Sequence, residues 1–178
     1  MGVLASIIDK SISGNFSSDA GSVGDDAFRS CSNLSSVSFP NAKHIGDGTF
    51  TSCPNLSSVS FPKVTFIEDY AFNQCTSLSS ASFPKASYIG SYAFNGCTSL
   101  SSASFPMATF MGDSAFSSCS SLTSISVGTS RPAVCLLGGR AFDNCPNLTN
   151  IYVPSSLVDS YKSATNWSGY ADKIKAEP

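Results

Sequence analysis

The chain has 178 residues and a net charge of −2, with 42% apolar residues and only 12% charged ones, about half the usual share of charge. Such a length suffices for one domain with a sizeable core. The near-neutral balance leaves no electrostatic footprint for nucleic acid or an anionic membrane, and no apolar run approaches the ~18 residues of a membrane span.

Residues 1–22 are partly periodic: Leu4, Ile7, Ile8, Ile12 and Phe16 are apolar, with Ser, Asp and Lys between them. The run VLASII at 3–8 is too short for a signal-peptide core and Asp9 follows it, so no secretion signal is visible. From residue 23 the chain repeats itself. Six units start at Val23, Ile45, Ile67, Ile89, Met111 and Leu137, the first five 22 residues apart. Each opens apolar-Gly, with Glu68 replacing Gly in the third, and continues x-x-Ala-Phe-x-x-Cys, with Gly48-Thr49 standing for the Tyr-Ala type of sequence in the second. Ala, Phe and Cys at this spacing share one face of a short helical turn.

A strand follows. Leu34, Val37 and Phe39 recur as Leu56, Val59, Phe61; Leu78, Ala81, Phe83; Leu100, Ala103, Phe105; Leu122, Ile125, Val127; and Leu148, Ile151, Val153. Alternation over the last positions is the mark of a half-buried strand, ended each time by Pro or Gly. A fixed period of this length is the signature of a solenoid, in which one unit cannot bury its own apolar face and stacking does so. The expected fold is an α/β repeat solenoid of the right-handed leucine-rich-repeat type. It would carry a parallel sheet on one face, short helical turns on the other and terminal caps, in a body on the order of 25–30 Å long at ~4.8 Å per coil.

The pattern I-G-x-x-A-F-x-x-C-x-x-L-x-x-x-x-F-P over residues 23–154 resembles the BspA-like leucine-rich repeats of bacterial surface proteins. Two further parts resemble a subgroup of gut Clostridia and their prophages: Ser6 to Ile12, and Ile151 to Lys162 followed by Ala164-Thr165-Asn166-Trp167. The resemblance implies cell-surface attachment, binding of host or matrix proteins, or a role in a phage virion. The organisation that follows is an N-terminal cap at 1–22, six repeats at 23–153 and a C-terminal helical cap at 154–178. In that cap Ser155 or Ser156 is expected as the helix N-cap; Leu157, Val158, Tyr161 and Ala164 form the apolar stripe; and Lys173 to Pro178 is expected to fray.

Cys31, Cys53, Cys75, Cys97 and Cys119 keep the repeat spacing, Cys145 follows after 26 residues, and Cys135 lies outside the pattern. None has zinc-site or redox spacing, so they read as buried thiols acting as small hydrophobes. Neighbouring coils are close enough for a disulfide, but identical parallel orientations do not favour its dihedral. No catalytic set appears: His44 is the single histidine, and there is no phosphate loop, GxSxG or HExxH. The acidic pairs Asp25-Asp26 and Glu68-Asp69 lack a six-oxygen calcium pattern and read as solvated turn carboxylates. Asn-x-Ser/Thr at Asn15, Asn33, Asn55, Asn147 and Asn166 is expected by chance in so serine-rich a chain. No cofactor and no metal is expected.

Two surfaces are candidates for binding. The outward sheet face carries Ser60, Ser82, Ser104, Ser126 and Tyr152, either a solvated face or a hydroxyl platform for glycans. The residues just before the coil-opening positions are His44, Phe66, Tyr88 and Phe110, which form either an exposed ring stripe or a second buried layer. The functional expectation is a non-enzymatic binding or adhesion module for a protein or glycan at a cell surface, without nucleic acid or membrane insertion. The alternative is a rigid spacer or tip in a phage virion or surface assembly.

Overall fold

The computed structural model describes residues 2–4 and 11–178, with residues 3 and 4 as backbone only. Part of the expected N-terminal cap, including Ile7 and Ile8, lies outside the described residues. The chain winds as a β-solenoid. Seven parallel two-residue strands stack in register, at Val3–Leu4, Ser22–Val23, His44–Ile45, Phe66–Ile67, Tyr88–Ile89, Phe110–Met111 and Leu136–Leu137. The serine-rich strands form a second parallel surface in two pieces. Gly14–Ser17, Leu34–Ser38 and Ser58–Ser60 make one sheet; Ser80–Ser82, Ser102–Phe105, Ser124–Val127, Asn150–Val153 and Ile174–Ala176 make the other.

The repeats contain no helix, which corrects the expectation of short helical turns opposite the sheet. The one described α-helix is Val158–Ser163, in the C-terminal cap. Between strands each coil runs through consecutive hydrogen-bonded turns in which the N–H groups alternate in use. In the first coil Ala27, Arg29 and Cys31 donate back to Gly24, Asp26 and Phe28 at 3.0–3.3 Å. Asp26, Phe28 and Ser30 donate instead to the carbonyls of Asp47, Thr49 and Thr51 in the next coil, each at 2.8 Å. The third coil repeats this, Tyr70, Phe72 and Gln74 donating to Ser91, Ala93 and Asn95 at 2.7–2.9 Å. An α-helix would turn those N–H groups inward and needs a cylinder ~10 Å across, twice the spacing between coils.

The alternation depends on two residues per coil with positive φ. They are Asp26 and Ser30, Gly48 and Ser52, Tyr70 and Gln74, Tyr92 and Gly96, Ser114 and Ser118, and Arg140 and Asn144, at φ 53–71°. A glycine opens the corner for another reason. A Cβ on Gly90 would stand 2.5 Å from the Asp69 nitrogen and the Glu68 carbonyl carbon, so the backbone of one coil passes directly over the last.

Two phenylalanine ladders fill the interior. Phe28, Phe50, Phe72, Phe94 and Phe116 stack at 5.1–5.2 Å between centroids. Phe39, Phe61, Phe83 and Phe105 stack at 5.3–6.1 Å, edge-on or tilted to the first ladder. Each contact adds about 0.5–1.5 kcal/mol beyond area burial. The widest step, 6.1 Å between Phe61 and Phe83, coincides with the break between the two serine sheets. Phe16 closes the N-terminal end of the ladders, 5.0 Å from Phe28, and Phe142 ends the other against Trp167 and Tyr170.

The C-terminal cap starts without a serine cap: a 3-10 turn at Ser155–Leu157 precedes the helix, and neither start carries a side-chain capping bond. What anchors the segment is hydrogen bonding to the last coil. The Cys135 N–H donates to Tyr161 Oη at 2.9 Å, Trp167 Nε1 donates to the Cys135 carbonyl at 2.6 Å, and Asn166 Nδ2 donates to the Leu137 carbonyl at 2.7 Å. The tail does not fray where expected. Ile174–Ala176 pairs in parallel with Ile151–Val153 and adds one more strand to the serine sheet.

All seven cysteines are buried as thiols. Their S–H groups serve the stack: Cys53, Cys75, Cys97, Cys119 and Cys145 donate to the carbonyls of Phe28, Phe50, Phe72, Phe94 and Phe116 at 3.0–3.2 Å. Burial raises Cys75, Cys97 and Cys119 far above the ordinary thiol value of 9.0, pushes Cys135 up to about 12 and Cys145 to about 11. Below pH 9.0 the thiols are neutral folded or unfolded. Above it the unfolded chain loses protons that the folded chain keeps, and stability falls. The urea midpoint is therefore expected to drop steadily once pH passes 9.0, with a slope of more than one proton per molecule; a midpoint unchanged well into alkaline buffer would show that the thiols are not buried.

Candidate functional site

In-register stacking turns the residues before each coil opening into a column. Ser22, His44, Phe66, Tyr88, Phe110 and Leu136 are consecutive partners across the short-strand sheet. Their successors Val23, Ile45, Ile67, Ile89, Met111 and Leu137 are buried, so the column faces outward. Phe66 is 47% exposed and Leu136 68%, while His44, Tyr88 and Phe110 are half-buried. Phe66 and Tyr88 lie 6.1 Å apart and tilted; Tyr88 and Phe110 lie 5.0 Å apart and stacked. At the upper end His44 Nε2 is 2.9 Å from Glu68 Oε1.

A second ring column stands four residues further along each coil, and sequence reasoning missed it. Tyr70 and Tyr92 stack in parallel at 5.0 Å and are 40% and 36% exposed. Both hold φ of 56°, an outlier for so bulky a side chain. The signal was present in Gly48: a glycine in the same column of the second coil marks a left-handed position that the next two coils fill with tyrosine. A hollow beside Tyr70 is lined by Arg29, Asp47, Thr51, Tyr70 and Asn73, while the space over Gly48 itself is taken by the carboxylate of Asp26 and the guanidinium of Arg29. A similar hollow lies against Tyr92, lined by Asp113, Ser114, Gly139 and Arg140.

Between the two ring columns runs a ridge of carboxylates. Asp25, Asp69 and Asp113 each accept from the N–H of the next coil, at Asp47, Ser91 and Gly139, over 2.7–2.9 Å, so they are structural as well as charged. Asp47 is held above the usual carboxylate range by partial burial and then by Asp69, Asp25, Asp26 and Glu68. Burial, with Asp69 and Glu68, likewise raises the Tyr88 phenol. Arg29, which lines the hollow beside Asp47, is tied to Asp26 at 3.0 Å. Among the described residues no group of three His, Cys, Asp or Glu is arranged to hold a metal ion.

The serine-face residues are gathered too, but in two pieces. Ser82, Ser104, Ser126 and Tyr152 are in-register partners that continue to Lys175, whereas Ser60 pairs with Ser38 in the separate three-stranded sheet. The amides of Asn55, Asn147 and Asn166 donate to the carbonyls of Ser32, Ser120 and Leu137 and are parts of the fold.

The comparisons agree with this architecture. A family model described as "BspA type Leucine rich repeat region" matches residues 10–123 and 43–170. Among solved structures, a leucine-rich repeat protein from Bacteroides ovatus superposes with a TM-score of 0.75 at 24% identity, over 94% of this chain and 43% of its own. A leucine-rich cell surface protein from Faecalibacterium prausnitzii gives 0.69 at 25% identity, over 79% of this chain and 38% of its own. A leucine-rich repeat protein from T. pallidum gives 0.60 at 21% identity, over 99% of this chain and 91% of its own. The chain thus spans about two fifths of the first two relatives. No curated protein matches it. With its six repeats matched over most of its length, the chain belongs to the BspA-type leucine-rich repeat family.

Proposed function

We propose that the protein is a non-enzymatic recognition module that holds a protein or glycan partner at a cell surface. The observation that carries this reading is the pair of exposed ring columns, Phe66–Tyr88–Phe110 and Tyr70–Tyr92, set on a rigid stack. Exposed aromatic clusters of this kind are the usual anchors of interfaces. The local costs point the same way. Tyr70 and Tyr92 occupy backbone positions suited to glycine, Glu68 replaces the corner glycine of the other coils, and Asp47 sits among like charges. Residues that break the rules of their own repeat mark functional sites. Surface location is supported by the family and by the F. prausnitzii relative, itself described as a cell surface protein. The serine face favours a second reading, a rigid spacer or tip in a surface or virion assembly, because hydroxyls without aromatic anchors suit solvation better than tight binding.

Asp47 provides a test of the local cost. Its carboxyl is raised, so its charge destabilises the folded chain at neutral pH, and the penalty fades as pH falls through the folded value toward 3.8. Asp47→Asn is expected to raise Tm at neutral pH and low salt and to make no difference in acid. A Tm below wild type at neutral pH would contradict this account. For the function itself, wild type and the double variant Phe66→Ser/Phe110→Ser are to be compared on a glycan array and against immobilised matrix proteins. The expected result is a specific ligand whose affinity falls at least about tenfold in the double variant, with Tm lowered by no more than about 4 °C. A ligand bound equally well by both forms would remove the ring columns as its site, and no ligand at all would favour the spacer.

A further inference from the structure

We propose that the Phe66–Tyr88–Phe110 column is a self-association face, and that its partner is a second copy of this chain lying alongside and pointing the same way. This rests on the reading of the ring columns as a binding face and names the protein that one of them holds.

Three observations carry it. First, the column separates two strips of opposite charge. On one flank Lys43, Lys63 and Lys85 are exposed in three successive coils. On the other stand Asp47, Glu68 and Asp69, and Asp25 and Asp113 carry that strip to the coils beyond. Second, neither strip is neutralised within the chain. Among the described residues none of the three lysines is in an ion pair, and Lys63 donates instead to the neutral Asn41 at 2.7 Å. Asp25, Asp69 and Asp113 accept backbone N–H groups rather than a cation. Third, the rings repeat at 5.0–6.1 Å along the column, a period set by the winding of the chain itself. A surface that answers with apolar groups and charges at that same period, and with both signs in the right order, is the face of another such solenoid.

Symmetry then chooses the arrangement. Two identical faces meet about a two-fold axis that runs either across the column or along it. With the axis across, the copies run in opposite directions and each acidic strip lies over the other acidic strip. With the axis along the column, the copies run in the same direction, coil beside coil, and each acidic strip lies over the other copy's lysines. Lys43 then meets the second copy's Asp47, and Lys63 its Glu68 and Asp69. Opposed like charges are penalised and opposite ones fix the register, so the parallel pair is selected. Lys63 and Asp69 are six residues apart, at most ~20 Å of extended chain, and the column from His44 to Leu136 rises ~20 Å over four coil steps. The pair therefore buries roughly 800 Å² over both copies, the size of a weak, reversible contact, with a Kd on the order of 10–100 μM.

The test is sedimentation velocity on the full chain from low micromolar to about 0.5 mM, at low and moderate salt. Wild type is expected to dimerise reversibly, and less at the higher salt. Phe66→Ser/Phe110→Ser, Lys43→Glu/Lys63→Glu/Lys85→Glu and Asp47→Lys/Glu68→Lys should each weaken the dimer at least about tenfold, with Tm checked for each. An equimolar mixture of the last two should dimerise again, because each then offers the charge the other lacks. Lys162→Glu/Lys173→Glu/Lys175→Glu, the same change of charge in the C-terminal cap, should leave the dimer unchanged. His44→Cys should give a disulfide-linked dimer under mild oxidation, since the parallel axis brings His44 beside its own counterpart and the native thiols are buried. A dimer indifferent to the ring and flank variants uses another face and would overturn the proposal. Equal weakening by the two triple lysine variants, or a mixture that stays monomeric, would overturn the charge matching on which it rests. If wild type stays monomeric at 0.5 mM, the self-association face is wrong. The recognition reading then survives where a glycan or matrix protein is lost in Phe66→Ser/Phe110→Ser, and falls with it where none is bound.

Discussion

The structure depends on one constraint: each coil lies about 5 Å from the next, and the backbone groups that point along the axis must bond across that gap. In the strands this is an ordinary parallel ladder. In the turns it is achieved by sending alternate N–H groups to the next coil and the others back along the same coil. Everything else follows from holding that distance. Helices are too thick for it, glycine is favoured where one backbone crosses another, and side chains of identical type stack on themselves. The repeat thiols belong to the same scheme, since Cys53, Cys75, Cys97, Cys119 and Cys145 each donate to a phenylalanine carbonyl of an adjacent coil. The single-residue interactions are modest, but they are repeated, and a defect in one coil is felt by both neighbours.

Much of this was legible in the chain. The 22-residue spacing located the coils, and the positions read as apolar, from Ala27-Phe28-Cys31 to Leu148-Ile151-Val153, are the buried core. The secondary structure of the turns was not legible, because Ala-Phe-x-x-Cys places the same side chains inward on a helix as on a run of turns. Only the distance between coils decides, and that is a property of the stack. The tail was misread for a related reason. Ile174–Ala176 has no strand-like pattern of its own and becomes a strand because Ile151–Val153 presents an open edge.

The candidate site was half visible. Aromatic residues preceding inward isoleucines imply an outward column, and the column containing His44, Phe66, Tyr88 and Phe110 is outward. Tyr70 and Tyr92 were hidden by their position beside Ala-Phe, where they look like part of a core motif. Their exposure comes from the left-handed backbone, which turns the side chain away from the direction a helix would give it. The carboxylate ridge was visible as acidic pairs, but its coherence was not: residues 22 positions apart, such as Asp25 and Asp47, are neighbours only in the wound chain.

The C-terminal cap hooks onto the last coil through Cys135, Leu137 and Phe142, and its contacts with interior coils are few. That arrangement makes the interior modular. A whole coil can be duplicated or deleted between the caps with the backbone and Cys–Phe bonds that recur in every coil restored in kind. Because ring columns and coils share one period, such an event lengthens or shortens the columns in increments of about 5 Å. Copy number then acts as a ruler that sets the length of the exposed columns.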